Sequence, residues 1–397
     1  MTERTGALPR TPGYLSEEER LSRCFGFLCE ADRLKSVARA NVLMDLSRAE
    51  NSAEHSWHVA LFAMVFGASD RAIAMILIHD LVEIDCGDHP IHLAHDMAAL
   101  AAAERAAAER LFGMLPEGAA LMALWREFEA GETDDARMAK RMDHVQPMFQ
   151  VLCAPAPPAD HVAIVRDNMA AGRAARLWSE WPEAMAAAVA LLEGRAPEGD
   201  LARRLDFLAE ADKLKSVYRA STLCDASRHE NSAEHSWHLA LYALVMAAHA
   251  GSGADIGRVI RMLILHDLVE IDAGDVPIHA ANGKAHHGAA QAAAEEAAAQ
   301  RLFGLLPAAQ GQAFRALWAE FEANETPDAV FAKSLDRAQP VMQNIVSGGG
   351  SWVEYDVTYP QLVERVGMRI ARGAPALWGW LDQRAQRYFA QDFTRPE

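Results

Sequence analysis

Apolar positions recur along most of the chain at intervals of three and four residues, which predicts amphipathic helices. This spacing is clear in residues 52–66, SAEHSWHVALFAMVF, and in residues 101–115, AAAERAAAERLFGML. Ala, Leu, Glu, Arg and Met, which favour helices, are abundant in these segments. Strand signals, such as a strict alternation of apolar and polar residues, are absent. The pattern predicts a chain that is helical nearly throughout.

Three blocks of the first half recur in the second half, in the same order. The pairs are 30–63 with 210–243, 77–92 with 263–279, and 124–147 with 317–340. The offset between copies grows by a few residues from block to block, which indicates small insertions in loops. The period is far too long for a solenoid repeat. The sequence therefore predicts an all-α protein made of two tandem helical bundles, residues 1–195 and 196–397, joined near the Gly- and Pro-containing stretch 193–200.

Composition narrows the choice of ligands. The chain has 397 residues, of which 51% are hydrophobic, so each half can bury a core of its own. The formal net charge of −17 argues against a protein that grips long nucleic acid, which usually carries the opposite balance. A small phosphate ester remains compatible, because a few local basic residues and a metal ion can override the overall field.

The cysteines and the apolar segments predict a cytoplasmic protein with no membrane span. The five cysteines form no Cys-x-x-Cys pair, and their number is odd, which fits a reducing compartment better than a disulfide framework. Residues 1–14 contain no apolar core of the signal-peptide kind. The most apolar stretch, residues 59–82, is interrupted by Asp70 and Arg71 and is too short between charges to cross a bilayer.

Titratable residues stand at the same places in both copies. His55 lies one turn into a predicted helix, His79 and Asp80 are adjacent in an apolar segment, and Asp143 ends the run AKRMD. An ionised aspartate in an apolar helical segment is unfavourable unless something pairs with it. A divalent cation held by two imidazoles and two carboxylates would offset that penalty, and such ligands suit Mn, Fe, Co, Zn or Mg. The equivalents in the second half are His235, His266, Asp267 and Asp336.

The segments ENSAEHSW and HDLVEIDxGD, followed by LWxEFE and a later Asp, resemble the HD superfamily of metal-dependent phosphohydrolases, in particular its 5′-deoxynucleotidase branch. The resemblance covers nearly all of both halves. It implies one divalent metal in each half, bound by His55, His79, Asp80 and Asp143 and by His235, His266, Asp267 and Asp336. It also implies that Glu83 and Glu270 transfer the proton, while Asp88 and Asp275 orient the water or the substrate sugar.

The same resemblance implies basic residues that contact the phosphate. Arg39 and Arg219 match the phosphate-binding arginine of the family. Weaker candidates are Lys140 and Lys333, three residues before the last metal ligand, and Arg48 and Arg228. For Arg48 and Arg228 a structural salt bridge is the alternative interpretation. Trp57 and Trp237 are predicted to be core residues rather than platforms for a base.

The two halves differ after the last metal ligand. The second half continues into NIVSGGGSWVEYD, which also resembles the tail of the HD family. The resemblance implies that the Gly-rich loop and Trp352 close over the site. The first half has a shorter, Pro-rich segment, residues 151–158, at the corresponding place. The sequence therefore predicts two sites that differ in substrate or in rate.

Three functions follow as hypotheses. The first is a phosphomonoesterase on deoxyribonucleoside 5′-monophosphates, in which water attacks phosphorus directly. The second is a triphosphohydrolase or pyrophosphohydrolase on nucleotides, which would need more basic residues around the site. The third is a metal-stabilised scaffold or sensor that binds a nucleotide without cleaving it. In all three the partner is a small nucleotide or phosphate ester, and the two repeats are expected to pair with each other as an internal pseudo-dimer.

Overall fold

The computed structural model describes residues 15–90, 93, 95–280 and 288–391. The N-terminal residues 1–14, which are expected to lack a signal peptide, lie outside the described residues, as do Ile91 and His92 at the end of the second repeated block. Within the described residues, helices dominate both halves, as the sequence predicts. None of these helices combines the length and apolar character needed to cross a membrane.

The described residues of the first half form ten α-helices, and five of these begin at a polar side chain that caps the helix. Asn51, for example, caps its helix by accepting hydrogen bonds from the backbone amides of Ala53 and Glu54, while the Glu54 carboxylate accepts from the Asn51 amide. The helices are α1 (Glu17–Ala31), α2 (Ser52–Val65), α3 (Asp70–Ile78), α4 (Glu83–Cys86), α5 (Met97–Gly113), α6 (Gly118–Ala130), α7 (Asp134–Leu152), α8 (Ala159–Ala171), α9 (Leu177–Glu180) and α10 (Pro182–Leu192).

The second half repeats the order α1–α7 and then departs from it. Its described helices are α11 (Gly199–Ala211), α12 (Ser232–Val245), α13 (Ile256–Leu265), α14 (Glu270–Ala273), α15 (Ala289–Phe303), α16 (Ala308–Ala323), α17 (Pro327–Val346), α18 (Ser351–Glu354), α19 (Tyr359–Leu362), α20 (Met368–Gly373) and α21 (Pro375–Gln391). Residues 193–198, which link α10 to α11, coincide with the predicted domain boundary, and that boundary stays a prediction.

Each half also contains one short antiparallel hairpin, so the expectation of no strands was wrong at these places. In the first half β1 (Ala38–Val42) pairs with β2 (Ala49–Asn51), and in the second half β3 (Tyr218–Thr222) pairs with β4 (His229–Asn231). The strands have only three to five residues and an irregular register, too short to show an alternating pattern. The hairpins position two predicted site residues, because β1 carries Arg39 and β3 carries Arg219.

The two halves are in contact through two almost fully buried helices. Helix α2 packs against α12, and both are buried along nearly their whole length. Trp57 is fully buried and donates its indole hydrogen to the carbonyl oxygen of Ile264 in the other half, at 3.1 Å. Trp237 donates in the same way to Leu77, at 3.1 Å. Both tryptophans are therefore core residues, as the sequence predicts.

Candidate functional site

The first predicted metal ligand, His55, lies on α2 with its imidazole fully buried. Its Nδ1 donates to the amide oxygen of Gln146 at 2.9 Å, which leaves Nε2 facing the other predicted ligands. Nε2 is 3.1 Å from Oδ1 of Asp143 on α7 and 3.8 Å from Oδ2 of Asp80. Helices that are distant in sequence thus bring three of the four predicted ligands of the first half together.

The fourth ligand, His79, lies where α3 ends. The α-helix stops at Ile78, and His79 and Asp80 begin a 3₁₀ turn, so this pair is not inside the long apolar helix that the sequence suggests. His79 Nδ1 donates to the carbonyl oxygen of Ile76 at 2.6 Å, which fixes the tautomer. Its Nε2 lies 3.1 Å from Asp80 and 3.6 Å from Asp143, yet is buried without a hydrogen-bond partner. An unshared imidazole nitrogen between two carboxylates suits a bound cation.

The second half reproduces this geometry. His235 Nε2 is 3.3 Å from Asp336 Oδ1 and 4.0 Å from Asp267 Oδ2. His266 Nδ1 donates to Leu263 at 2.8 Å, and its Nε2 lies 3.0 Å from Asp267, again buried without a hydrogen-bond partner. In both halves the two histidines and the adjacent aspartate offer ligand atoms that all lie within 4.8 Å of one another. The residues present therefore fit one divalent metal in each half.

Charged neighbours shift the pKa values of several predicted ligands. Burial raises the pKa of Asp143, but the neighbouring imidazoles of His55 and His79 hold that pKa well below its usual range. For Asp267, burial is likewise outweighed by His266 and Arg219, which lower its pKa to about 2. Burial lowers the pKa of His79, yet Asp80 and Asp143 raise it to about 9. Cationic neighbours thus favour the ionised form of the two aspartates, and neighbouring aspartates favour the protonated form of His79.

Glu83 and Glu270, the predicted proton-transfer residues, lie beside the metal ligands. Ser52, the first residue of α2, donates its hydroxyl hydrogen to Glu83, and Ser232 does the same for Glu270 at 2.6 Å. Burial, followed by repulsion from Asp80, raises the pKa of Glu83 well above its usual range. Glu270 is shifted in the same direction by burial and Asp267. A carboxyl group with a raised pKa is suited to accept and donate a proton near neutral pH.

Arg39 and Arg219 stand at the centre of each carboxylate cluster. Arg39 Nη1 is 3.0 Å from Asp80, 3.6 Å from Glu83 and 3.5 Å from Asp88. The corresponding distances from Arg219 are 2.7 Å to Asp267, 3.5 Å to Glu270 and 3.6 Å to Asp275. Asp88 and Asp275 therefore join the site through these arginines, and the structure brings all of the predicted catalytic residues together.

Of the other predicted phosphate contacts, the two lysines lie near the site and the two arginines do not. Lys140 lies 4.5 Å from the centre of the Phe128 ring, which itself contacts the ring of His79. Lys333 occupies the same position over Phe321, at 3.9 Å, and lines the cavity of the second half. Both lysines are thus close to the ligand histidines.

Arg48 and Arg228 do not line either cavity. Arg48 pairs with Glu54 and donates to the carbonyl oxygen of Lys215 in the other half, at 2.8 Å. Arg228 pairs with Glu234 and donates across the halves to Lys35 at 2.7 Å. This arrangement matches the alternative interpretation, a structural salt bridge.

The cavities beside the two sites differ in their lining, while the predicted difference in substrate or rate stays a prediction. In the second half a cavity of about 390 Å³ is lined by Arg219, by the predicted metal ligands His266, Asp267 and Asp336, and by Glu270. Trp352 and Tyr355, which follow the Gly-rich loop, complete its wall. Gly348, Gly349 and Gly350 in that loop all have positive φ angles, which a residue with a side chain rarely adopts.

In the first half a cavity of about 300 Å³ adjoins Arg39 and Asp88. Its outer wall is formed by α8 residues, including Asp160, His161 and Ile164, where the second half has its Gly-rich loop and Trp352. Sequence reasoning did not identify these wall residues, because α8 has no counterpart of similar sequence in the other repeat. Their chemistry is more polar and acidic than that of the second cavity's tryptophan and tyrosine.

A further layer of residues behind the ligands was also missed. Gln146 and Gln339 accept hydrogen bonds from the ligand histidines, and Glu50 and Glu230 lie beside them, fully buried. The signal was present, because these residues are identical in the two repeats. Identity between the repeats did not mark these residues as part of the site, because Gln and Glu in helices or strands ordinarily lie at the surface.

The site residues lie in a region that matches a known family. The family model described as HD domain matches residues 31–185 and again residues 211–378. The 5′-deoxynucleotidase HDDC2 of Bos taurus is 28% identical over 162 residues, which cover 40% of this chain and 73% of the bovine protein. The Homo sapiens 5′-deoxynucleotidase HDDC2 is 27% identical over 141 residues, 35% of this chain and 65% of the human protein.

A solved structure is similar as well. It is described as a predicted metal-dependent phosphohydrolase from Magnetospirillum magnetotacticum MS-1, with 42% sequence identity over 50% of this chain and 100% of that chain, at a TM-score of 0.46. The family assignment rests on the HD domain model, whose two matched segments together span most of the sequence. The chain therefore belongs to the HD domain family, with two HD domains in tandem.

Proposed function

We propose that this chain is a divalent-metal-dependent phosphohydrolase, and more narrowly a phosphomonoesterase that acts on deoxyribonucleoside 5′-monophosphates. One observation carries the proposal: around a single cavity, the ligand set of His235, His266, Asp267 and Asp336 meets an arginine and a carboxyl group with a raised pKa. The similarity to 5′-deoxynucleotidases of cattle and humans supports the choice of substrate.

The proposed reaction uses each group at a defined atom. His235, His266, Asp267 and Asp336 would hold a divalent cation, which when bound would supply Lewis acidity to a phosphoryl oxygen and to water. Arg219 lies beside the ligand Asp267 and neutralises charge on the phosphoryl oxygens during the attack. Glu270 takes the proton of the attacking water and returns a proton to the 5′ oxygen as its bond to phosphorus breaks. The products are the nucleoside and orthophosphate.

A second candidate function has support from the second half alone. Its cavity is also lined by Lys333, Arg337 and Arg369, three cationic side chains in addition to Arg219. Such a group of cations could hold a longer phosphate chain, which favours a nucleotide triphosphohydrolase or pyrophosphohydrolase as the alternative. A non-catalytic nucleotide sensor is less well supported, because Glu83 and Glu270 are both present and both contact the serine that begins the ligand-bearing helix.

The pairing of the repeats belongs to the same proposal. We propose that residues 1–195 and 196–397 form an internal pseudo-dimer, equivalent to two single-domain relatives joined in one chain. The reciprocal hydrogen bonds of Trp57 and Trp237 support this proposal, since each tryptophan contacts the other half in the same way.

The test begins with protein that has been stripped of metal by a chelator and reloaded separately with Mn, Co, Fe, Mg or Zn. Each form is assayed against deoxyribonucleoside and ribonucleoside 5′-monophosphates and against the triphosphates. Metal-dependent release of orthophosphate from the deoxyribonucleoside monophosphates is the expected result, and the Glu83→Gln/Glu270→Gln variant serves as the inactive control. Release of pyrophosphate or tripolyphosphate from the triphosphates would favour the second candidate. Tight nucleotide binding with no turnover under any metal would leave only the sensor.

A further inference from the structure

Lys35 of the first half reaches the outer layer of the second half's metal site. It lies in the 3₁₀ helix Asp32–Ser36, and its side chain is fully buried. Its ammonium group donates to Asp32 of the same helix at 2.5 Å and to Oε2 of Glu230 in the other half at 2.9 Å. The second oxygen of Glu230, Oε1, is 3.3 Å from Nδ1 of the predicted ligand His235. A continuous set of buried contacts thus connects Lys35 to a ligand of the opposite half.

Lys215 of the second half makes the reciprocal connection. Its fully buried ammonium group donates to Asp212 of its own helix at 2.5 Å and to Oε1 of Glu50 in the first half at 2.7 Å. Oε2 of Glu50 is 3.7 Å from Nδ1 of His55 and 4.0 Å from Nε of Arg39. The lysine of the repeated segment LKSV therefore contacts a glutamate of the other half in both repeats.

These lysines are poor candidates for simple stabilisers. Removing an ammonium group from water is unfavourable, and a buried ion pair is often no more stable than apolar residues of similar volume. Buried charges are retained more readily where they orient a functional group, and residues behind a metal-binding histidine commonly tune its orientation and basicity. The carboxylates of Glu50 and Glu230 occupy that position, and each has an ammonium group of the other half as its nearest cation.

We propose that Lys35 and Lys215 are positioning residues exchanged between the halves: Lys35 completes the metal site of the second half, and Lys215 completes that of the first. The inference rests on the proposed metal sites and extends them, because neither site is then complete within its own repeat. Each lysine acts through a glutamate. It fixes the carboxylate that faces the ligand histidine and the nearby phosphate-site arginine.

The test measures the Mn affinity of one site at a time by isothermal titration of the full-length, metal-free protein. His79→Ala leaves the second-half site for measurement, and His266→Ala leaves the first-half site. Lys35→Met and Lys215→Met are introduced into both backgrounds. Because an unpaired buried Asp could prevent folding, Asp32→Asn/Lys35→Met and Asp212→Asn/Lys215→Met are tested in parallel, with the fold checked by circular dichroism. Lys213→Met, which alters an exposed lysine beside Lys215, is the matched control.

We expect a crossed pattern, in which each lysine variant weakens Mn binding at the site of the opposite half. Variants at Lys35 should weaken Mn binding at the second-half site by about 10- to 100-fold while the first-half site changes little, and variants at Lys215 should do the reverse. Weakening confined to the lysine's own half, equal weakening of both sites, or unchanged affinity in every variant would overturn the inference. If neither single-histidine background binds Mn before any lysine is changed, the proposed function itself fails, which is a different result from the loss of the crossed pattern.

Discussion

The hydroxyl group of Ser232 donates a hydrogen bond of 2.6 Å to Oε2 of Glu270. Ser232 is the first residue of the helix that carries His235, and Glu270 follows the 3₁₀ turn that carries His266 and Asp267. This contact therefore connects the helix that carries the predicted ligand His235 to the carboxyl group that is predicted to transfer the proton. Ser52 and Glu83 repeat it in the first half.

Replacing the proton-transfer carboxyl should separate metal binding from turnover. Glu270→Gln keeps the shape and the contact with Ser232 but can no longer accept a proton, so kcat should fall by about 10²- to 10⁴-fold in a His79→Ala background. The bound metal, measured by atomic emission, should remain because Glu270 is not among the predicted ligands. A variant that retains wild-type kcat, or one that loses its metal, would contradict the assigned role.

The sequence predicted which residues cluster at each site, and their role as metal ligands stays a prediction; it did not predict the residues packed behind them. His55 and His235 were identified because four residue types recur in order in both repeats, and the structure brings those residues together. Lys35 and Lys215 recur just as faithfully, but nothing in a lysine's local sequence indicates that it will be buried against the other half. Such contacts depend on how the two repeats pack, which one-dimensional spacing does not encode.

Two other differences have equally local causes. The all-α fold was predicted correctly, but the hairpins that carry Arg39 and Arg219 are too short to produce a strand pattern and were not predicted. Arg48 and Arg228 were weak phosphate candidates because they directly precede the repeated motif. In the structure the motif begins where the two halves meet, and there Arg48 forms an ion pair with the buried Glu54 and Arg228 with the buried Glu234.

The Gly-rich loop should make the second site distinct. Tyr355→Ala removes a partly exposed ring from the cavity wall, and in a His79→Ala background it should raise KM for a nucleoside monophosphate several-fold. In a His266→Ala background the same substitution should leave KM unchanged, because the first cavity has α8 at the corresponding wall. Steady-state phosphate release measures both values. An equal effect in the two backgrounds would show that Tyr355 acts on overall stability rather than on one cavity.

The contact between the halves can be tested through Asn231, whose amide nitrogen donates to Glu54 of the first half at 2.7 Å. Asn231→Asp keeps an oxygen that caps α12 but replaces this donor by a second carboxylate beside a buried one. The free energy of unfolding should fall by about 1–3 kcal/mol, as measured by urea denaturation. Asn231→Ser, which preserves a cap without adding charge, should lose less. Equal stability of the Asp variant and the wild type would argue that the halves do not meet there.

The most direct test of the account counts the metal in each half. Wild-type protein, reloaded with Mn and freed of excess ion, should hold two equivalents per chain. His79→Ala and His266→Ala should each hold one, and the double variant should hold none. Orthophosphate release from a deoxyribonucleoside 5′-monophosphate should disappear in the double variant as well. Two equivalents retained after both substitutions, or phosphate release that persists without metal, would contradict a chain with two HD-type metal sites.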